Sequence, residues 1–187
     1  IKEYDMKRIL ALGIILLFIG MSISSSTGFN LEKQSVIPLN GKTLYVGGSG
    51  PNNYSKIQDA IDDAVDGDTV YVYDDSSPYY ENLIVNKSVT LTGENKDTTI
   101  IDGGGIKDVV YVSADEVYIS GFTIRNSGCG TYPYYAGIGI FSISNTITGN
   151  IISSNQGDGI YLNFSNNNII TDNTIANNEE DGIRLRG

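Results

Sequence analysis

The chain has 187 residues, with 12 Lys and Arg against 22 Asp and Glu, a formal net charge of −10, no histidine and one cysteine. So acidic a chain excludes nucleic acid as a partner, because binding it requires a basic footprint. The lack of histidine removes every His-dependent catalytic or metal site, and Cys129 alone forms no internal disulfide.

At the N-terminus, Lys7 and Arg8 precede an apolar run from Ile9 to Ile23, followed by Ser24, Ser25, Ser26, Thr27 and Gly28. This order describes a secretory signal over residues 1–28, with Ile1 to Asp5, ahead of Met6, as non-native or fragment-edge residues. The alternative is a retained anchor, although a run of about 15 residues is marginal for spanning a bilayer. Export places the protein outside the cell or on its surface, with the membrane touched only through this segment. Residues 29–41 then read as a linker, and 42–187 as one domain.

That domain opens with a cap. Ser55 and Gln58 have capping-box spacing, and Ile57, Ala60, Ile61, Ala64 and Val65 follow at helical spacing, which predicts an amphipathic helix over 55–65 ended by Gly67. Thr69 to Tyr73 alternates like a strand, and regular coils start there. Such a helix would cover the otherwise open end of a stacked fold.

The rest of the chain repeats. Asp158, Gly159, Ile160 and Leu162 return 23 residues later as Asp181, Gly182, Ile183 and Leu185, and Asn145, Ile147, Asn150, Ile152 and Asn155 return as Asn168, Ile170, Asn173, Ile175 and Asn178. Upstream, Ala136, Gly137, Ile138 and Ile140 precede the Asp158 set by 22. Ile119 and Ile124 precede Ile147 and Ile152 by 28. Unequal offsets mean corner insertions, the longest being Ser127 to Ala136. Short apolar pulses between Asn, Asp, Gly and Ser corners are strand and turn chemistry, and units of this length bury a core only by stacking. The fold class is therefore all-β, a solenoid of parallel coils of about 22–28 residues. Asn150 over Asn173 and Asn155 over Asn178 are expected to form structural amide ladders.

The segments KTLYVGGSGPNNYSKIQDAIDDAVDGDTVYVYDD, YYENLIVNKSVTLTGENKDTTIIDGGG and VYISGFTIRNSG, from Lys42 to Asn126, resemble the start of right-handed parallel β-helix proteins of the pectin-lyase-like superfamily. The nearest likeness is to NosD-like, carbohydrate-binding and sugar-hydrolase type repeats of archaeal secreted and surface proteins. The resemblance implies a fold more than an activity, since one β-helix scaffold carries many functions.

Three readings follow. Hydrolases of this superfamily resemble one another in paired Asp residues with a His-Gly and an Arg-x-Lys. Here Asp62 with Asp63 lies in the cap helix and Asp74 with Asp75 at a turn, so no catalytic residue is assigned. Copper binding draws on His, Cys and Met, of which the exported chain keeps only Cys129, so no metal ligand is assigned. The third reading is a non-catalytic extracellular module, structural, adhesive or glycan-binding, whose partners are glycans or cell-envelope components. Its alternative is a polysaccharide-active enzyme with catalytic residues beyond Gly187, where GIRLRG ends without a closing cap.

Tyr132, Tyr134 and Tyr135 in the longest insertion are the candidate ligand contacts, either stacking on sugar rings or folding over the coil as a lid. Asn53, Asn86 and Asn163 each begin an Asn-x-Ser sequon, a glycosylation acceptor only where the cell glycosylates exported chains. No cofactor is expected apart from calcium. Asp158 and Asp181 stacked one coil apart would repel by roughly 0.8 kcal/mol, a repulsion that either a calcium ion or exposure to water would relieve.

Overall fold

A computed structural model describes residues 41–130 and 135–187; the expected signal, and all of the linker but residue 41, lie outside them. The described chain winds through three parallel sheets. Sheet A is built from β1 (Thr43–Val46), β2 (Thr69–Val72), β5 (Thr90–Gly93), β8 (Tyr118–Ser120), β11 (Thr146–Thr148) and β14 (Ile169–Thr171). Sheet B takes β3 (Tyr79–Tyr80), β6 (Ile100–Asp102), β9 (Thr123–Arg125), β12 (Ile151–Ser153) and β15 (Thr174–Ala176). Sheet C takes β4 (Leu83–Val85), β7 (Val110–Val112), β10 (Ala136–Ile140), β13 (Asp158–Asn163) and β16 (Ile183–Arg186). Each coil visits A, B and C in turn, and every pairing is with the coil before or after, so the fold is a parallel β-solenoid.

Register follows from the alternation of inward and outward side chains. Leu91, Ile119, Ile147 and Ile170 stack inside sheet A, and Ile101, Ile124, Ile152 and Ile175 inside sheet B. Sheet C contributes two inward columns, one running through Val110, Ile138 and Ile160. Fully burying each such side chain contributes about 1.5–3 kcal/mol, and no coil has enough of them to stand alone.

The corners turn through left-handed residues. Between sheets A and B, Gly121, Gly149 and Asp172 take φ of +79°, +65° and +55°. A side chain at Gly93 is impossible as well, because its Cβ would fall 2.2 Å from the Gly121 carbonyl oxygen of the next coil. In the later coils an asparagine stands one residue past each of the left-handed Ser144, Gly149, Ser154, Asn167, Asp172 and Asn177. Asn145 over Asn168, Asn150 over Asn173 and Asn155 over Asn178 form three ladders, with Nδ2 to Oδ1 distances of 2.9, 3.1 and 2.9 Å. Their carbonyls also accept backbone N–H groups from the coil before: Val117 to Asn145, Phe122 to Asn150 and Ser127 to Asn155, at 2.9, 3.1 and 3.0 Å.

The cap helix α1 is shorter than its sequence signal, spanning Ile57–Asp63, and strand β2 ends at Val72, before Tyr73. The expected capping box is absent. Ser55 lies outside the helix, Lys56 at the N-cap makes no side-chain bond, and Gln58 is drawn elsewhere. Glu81 from the first coil caps the helix instead, accepting the N–H groups of Ile57 (2.9 Å) and Gln58 (3.0 Å). At the other end Lys87 donates to the carbonyls of Ile61 (3.0 Å), Asp62 and Ala64 (2.7 Å), so the helix closes at Ala64 and Gly67 is left to bond Ser88.

The Gln58 amide pairs with the exposed edge of β4, donating to the Ile84 carbonyl (3.2 Å) and accepting its N–H (2.8 Å). It thus satisfies an edge that would otherwise invite another strand. Because both helix ends depend on the first coil, Glu81→Ala should lower stability by about 1–2 kcal/mol, read as a lower urea midpoint with an unchanged m-value. An unchanged midpoint would show that the carboxylate does not hold the cap.

Candidate functional site

The outer face of sheet A carries an aromatic cluster at its first two strands. β1 and β2 are near copies, TLYV and TVYV, paired in register so that Tyr45 faces Tyr71. Tyr73 joins them just past β2. The Tyr45 and Tyr73 rings are stacked with centroids 6.0 Å apart and planes 23° from parallel, while Tyr71 meets both edge-on at 6.1 and 5.1 Å. Burial, then the nearby Glu94 carboxylate, raises the Tyr71 phenol above its ordinary value, so it stays a neutral hydroxyl.

A loop of small residues makes one wall of a cleft over these rings. The cleft has a volume of about 620 Å³, lined by Tyr45, Tyr73, Asn53, Asp74, Asp75 and Glu94 with the backbone of Gly48 to Gly50. Gly48 lies so close to Tyr73 that its Cβ would fall 2.7 Å from the ring. Asn53 pins the loop by donating to the Gly47 carbonyl at 2.5 Å. The acids are held as well. Asp75 accepts the Gly48 N–H (2.9 Å), Asp74 accepts the Thr98 hydroxyl (2.6 Å), and Glu94 accepts the Asp74 N–H (3.1 Å). Each of these bonds uses one carboxylate oxygen, so the other oxygen of each acid keeps its capacity to accept. Aromatic faces beside fixed acceptors suit a flat polyhydroxylated ligand, whose C–H face stacks while its hydroxyls donate.

A second cluster lies on sheet C, where Phe141 packs against Tyr111 (4.9 Å) and Tyr161 (5.8 Å). The Asp108 carboxylate sits 3.1 Å from where a Cβ on Gly139 would be, between the Tyr111 and Tyr161 rungs. It accepts the Ala136 N–H at 2.7 Å and has no ion-pair partner among the described residues. Burial pushes its pKa up to about 6 against the pull of that N–H. Asp108 lies beside sheet C, apart from the tyrosine cleft of sheet A.

The residues singled out in the sequence fall in several places. Tyr132 and Tyr134 lie outside the described residues. Tyr135 is half-buried, and its carbonyl accepts the Asp158 N–H at 3.1 Å. Among the sequons, Asn53 is committed to its loop, Asn163 accepts the Tyr161 hydroxyl at 3.3 Å, and Asn86 is exposed. At Asp158 and Asp181, where calcium or exposure to water was weighed, a basic residue lies between the two carboxylates. Arg184 lies 2.8 Å from Asp158 and 3.2 Å from Asp181, and Asp158 also accepts the Asp181 N–H. The guanidinium thus offsets the repulsion between the two stacked carboxylates.

No solved structure matches the chain. Residues 39–187 match the family described as periplasmic copper-binding protein (NosD). A cell surface glycoprotein of Methanothermus fervidus is 37% identical over 82 residues, covering 42% of this chain and 13% of that protein, so the chain spans a small part of this relative's length.

Copper does not fit the donors available. The chain has no histidine, Met6 and Met21 lie outside the described residues, and Cys129 is exposed. Among the described residues no three of His, Cys, Asp or Glu gather where a metal could be held. No described helix is long and apolar enough to cross a membrane.

Proposed function

The chain belongs to the NosD family of β-helix proteins, and from that premise we propose that it is a non-catalytic cell-surface module that binds uncharged glycans through the tyrosine cleft of sheet A. The observation that carries this reading is the pairing of stacked Tyr45 and Tyr73 with the ordered acceptors of Asn53, Asp74, Asp75 and Glu94. Its similarity to a cell surface glycoprotein supports the location. The acceptors discriminate by charge. Three carboxylates in a chain of net charge −10 repel uronates and sulfated sugars and tolerate neutral ones.

Tyr45 is 42% exposed, so it can be truncated with little loss of core. Tyr45→Ala should weaken binding to neutral polysaccharides roughly tenfold, with Tyr45→Phe close to the parent, since stacking contributes about 0.5–1.5 kcal/mol beyond area burial. Affinity electrophoresis through gels containing glucan, mannan, galactan or N-acetylglucosamine polymers reads this directly. Retention by none of them, or equal retention of parent and Tyr45→Ala, would refute the cleft.

A further inference from the structure

The outer face of sheet A continues beyond the tyrosines as a grid of hydroxyl groups. One outward column runs Tyr45, Tyr71, Thr92, Ser120, Thr148, Thr171 in strict register. The second, two residues earlier on each strand, runs Thr43, Thr69, Thr90, Tyr118, Thr146 and ends in Ile169. All but Ile169 carry a hydroxyl, none carries a charge, and each is exposed or half-buried. Rungs repeat about every 4.8 Å along the solenoid axis, and the two columns stand about 6.7 Å apart. Neighbouring rungs touch, with Thr92 Oγ1 3.4 Å from Ser120 Oγ.

Strand propensity accounts for threonine and tyrosine at such positions but not for the missing charge. Equivalent outward positions hold Asp102 and Arg125 on sheet B, and Arg184 and Arg186 on sheet C. Sheet A alone keeps an uncharged face across six strands, and that face runs without a break into the tyrosine cleft.

We propose that this face is a track for a linear, uncharged polysaccharide lying along the solenoid axis, with its first sugars stacked on the tyrosines and later ones on the Thr and Ser rungs. This rests on the glycan-binding reading of the cleft and adds the ligand's length, charge and direction. Hydroxyls that rotate freely can donate to or accept from sugar hydroxyls at each rung, while threonine methyls meet the sugar C–H faces. An uncharged grid avoids the desolvation cost of stripping ions of water. The repeat is close to the length of one hexose in a chain, so successive sugars meet equivalent groups, and affinity should grow with chain length as linked contacts accumulate.

The full chain is tested against neutral polysaccharides and trisaccharides cut from them, with polygalacturonate as the charged control. The polymer should bind at least about tenfold more tightly than its trisaccharide. Thr148→Lys, and separately Ser120→Ala with Thr148→Val, should remove that gain and leave trisaccharide binding unchanged. The second variant keeps strand-compatible side chains, so it reports on hydroxyls rather than on folding. Equal affinity for polymer and trisaccharide, an unchanged polymer affinity in both variants, or tighter binding of polygalacturonate would overturn the track while leaving the cleft in place. Failure of every neutral glycan to bind at any length would overturn both.

Discussion

Asn150→Ala should lower the stability of the β-helix by about 3 kcal/mol, among the largest effects of any single polar substitution in it. The side chain is fully buried and makes bonds in three directions. Its Oδ1 accepts the Phe122 N–H, and its Nδ2 lies 3.0 Å from the carbonyls of Ile119 and Thr148 and 3.1 Å from Asn173. Alanine leaves these partners buried without water to replace the amide, and each orphaned group costs about 1–3 kcal/mol. Asn173→Ala, one coil further and half-buried, should cost about 1 kcal/mol, because solvent reaches part of its site. Urea unfolding at constant m-value gives both numbers. Equal losses at the two positions would mean that the ladder acts by local turn preference and not by burial.

The ladder is also where sequence is most informative. Its asparagines recur at a fixed offset because a solenoid repeats one environment, so identical residues report identical neighbours. The third ladder, Asn145 over Asn168, has the same 23-residue echo and is readable in the same way. Corner conformation is less legible. Glu116, Ser144 and Asn167 occupy equivalent left-handed positions at φ of 58°, 61° and 58°, and no shared residue type marks them.

The cap and the cleft depend on contacts between segments that do not repeat. Glu81 and Lys87 replace the local capping box from 24 and 26 residues away, a distance no capping motif spans. Tyr45 meets Tyr71 only because the helix between them is looped out, so the offset matches no later coil. The signal was nevertheless present in the paired tetrapeptides TLYV and TVYV, whose likeness implies adjacent strands with both tyrosines on one face. The loop tyrosines drew notice by their density, whereas the cleft is assembled from residues spread over 50 positions of sequence.

Asp108→Asn should stabilise the protein at neutral pH, by up to about 3 kcal/mol, and should have almost no effect near pH 4. The folded-state pKa of Asp108 stands at about 6, against an ordinary value of 3.8. The folded protein therefore holds this proton more tightly than the unfolded chain. The corresponding stability is complete below pH 3.8 and is lost as pH rises through 6, where a buried carboxylate is left charged without a cation. Asparagine can still accept the Ala136 N–H and carries no charge to desolvate.

Asp102 runs in the opposite sense. Burial alone would raise it, but bonds from Asn126, the Gly104 N–H and Arg125 together hold it below 3.8, so its contribution is lost only as pH falls through that lower value. The two acids thus act in separate windows, Asp108 between about pH 4 and 6 and Asp102 below them. Unfolding midpoints of parent and Asp108→Asn at pH 4, 5, 6 and 7.5 should diverge steadily with rising pH. A constant difference at every pH would show that the substitution acts through packing against Gly139, and that the buried carboxylate carries no electrostatic strain.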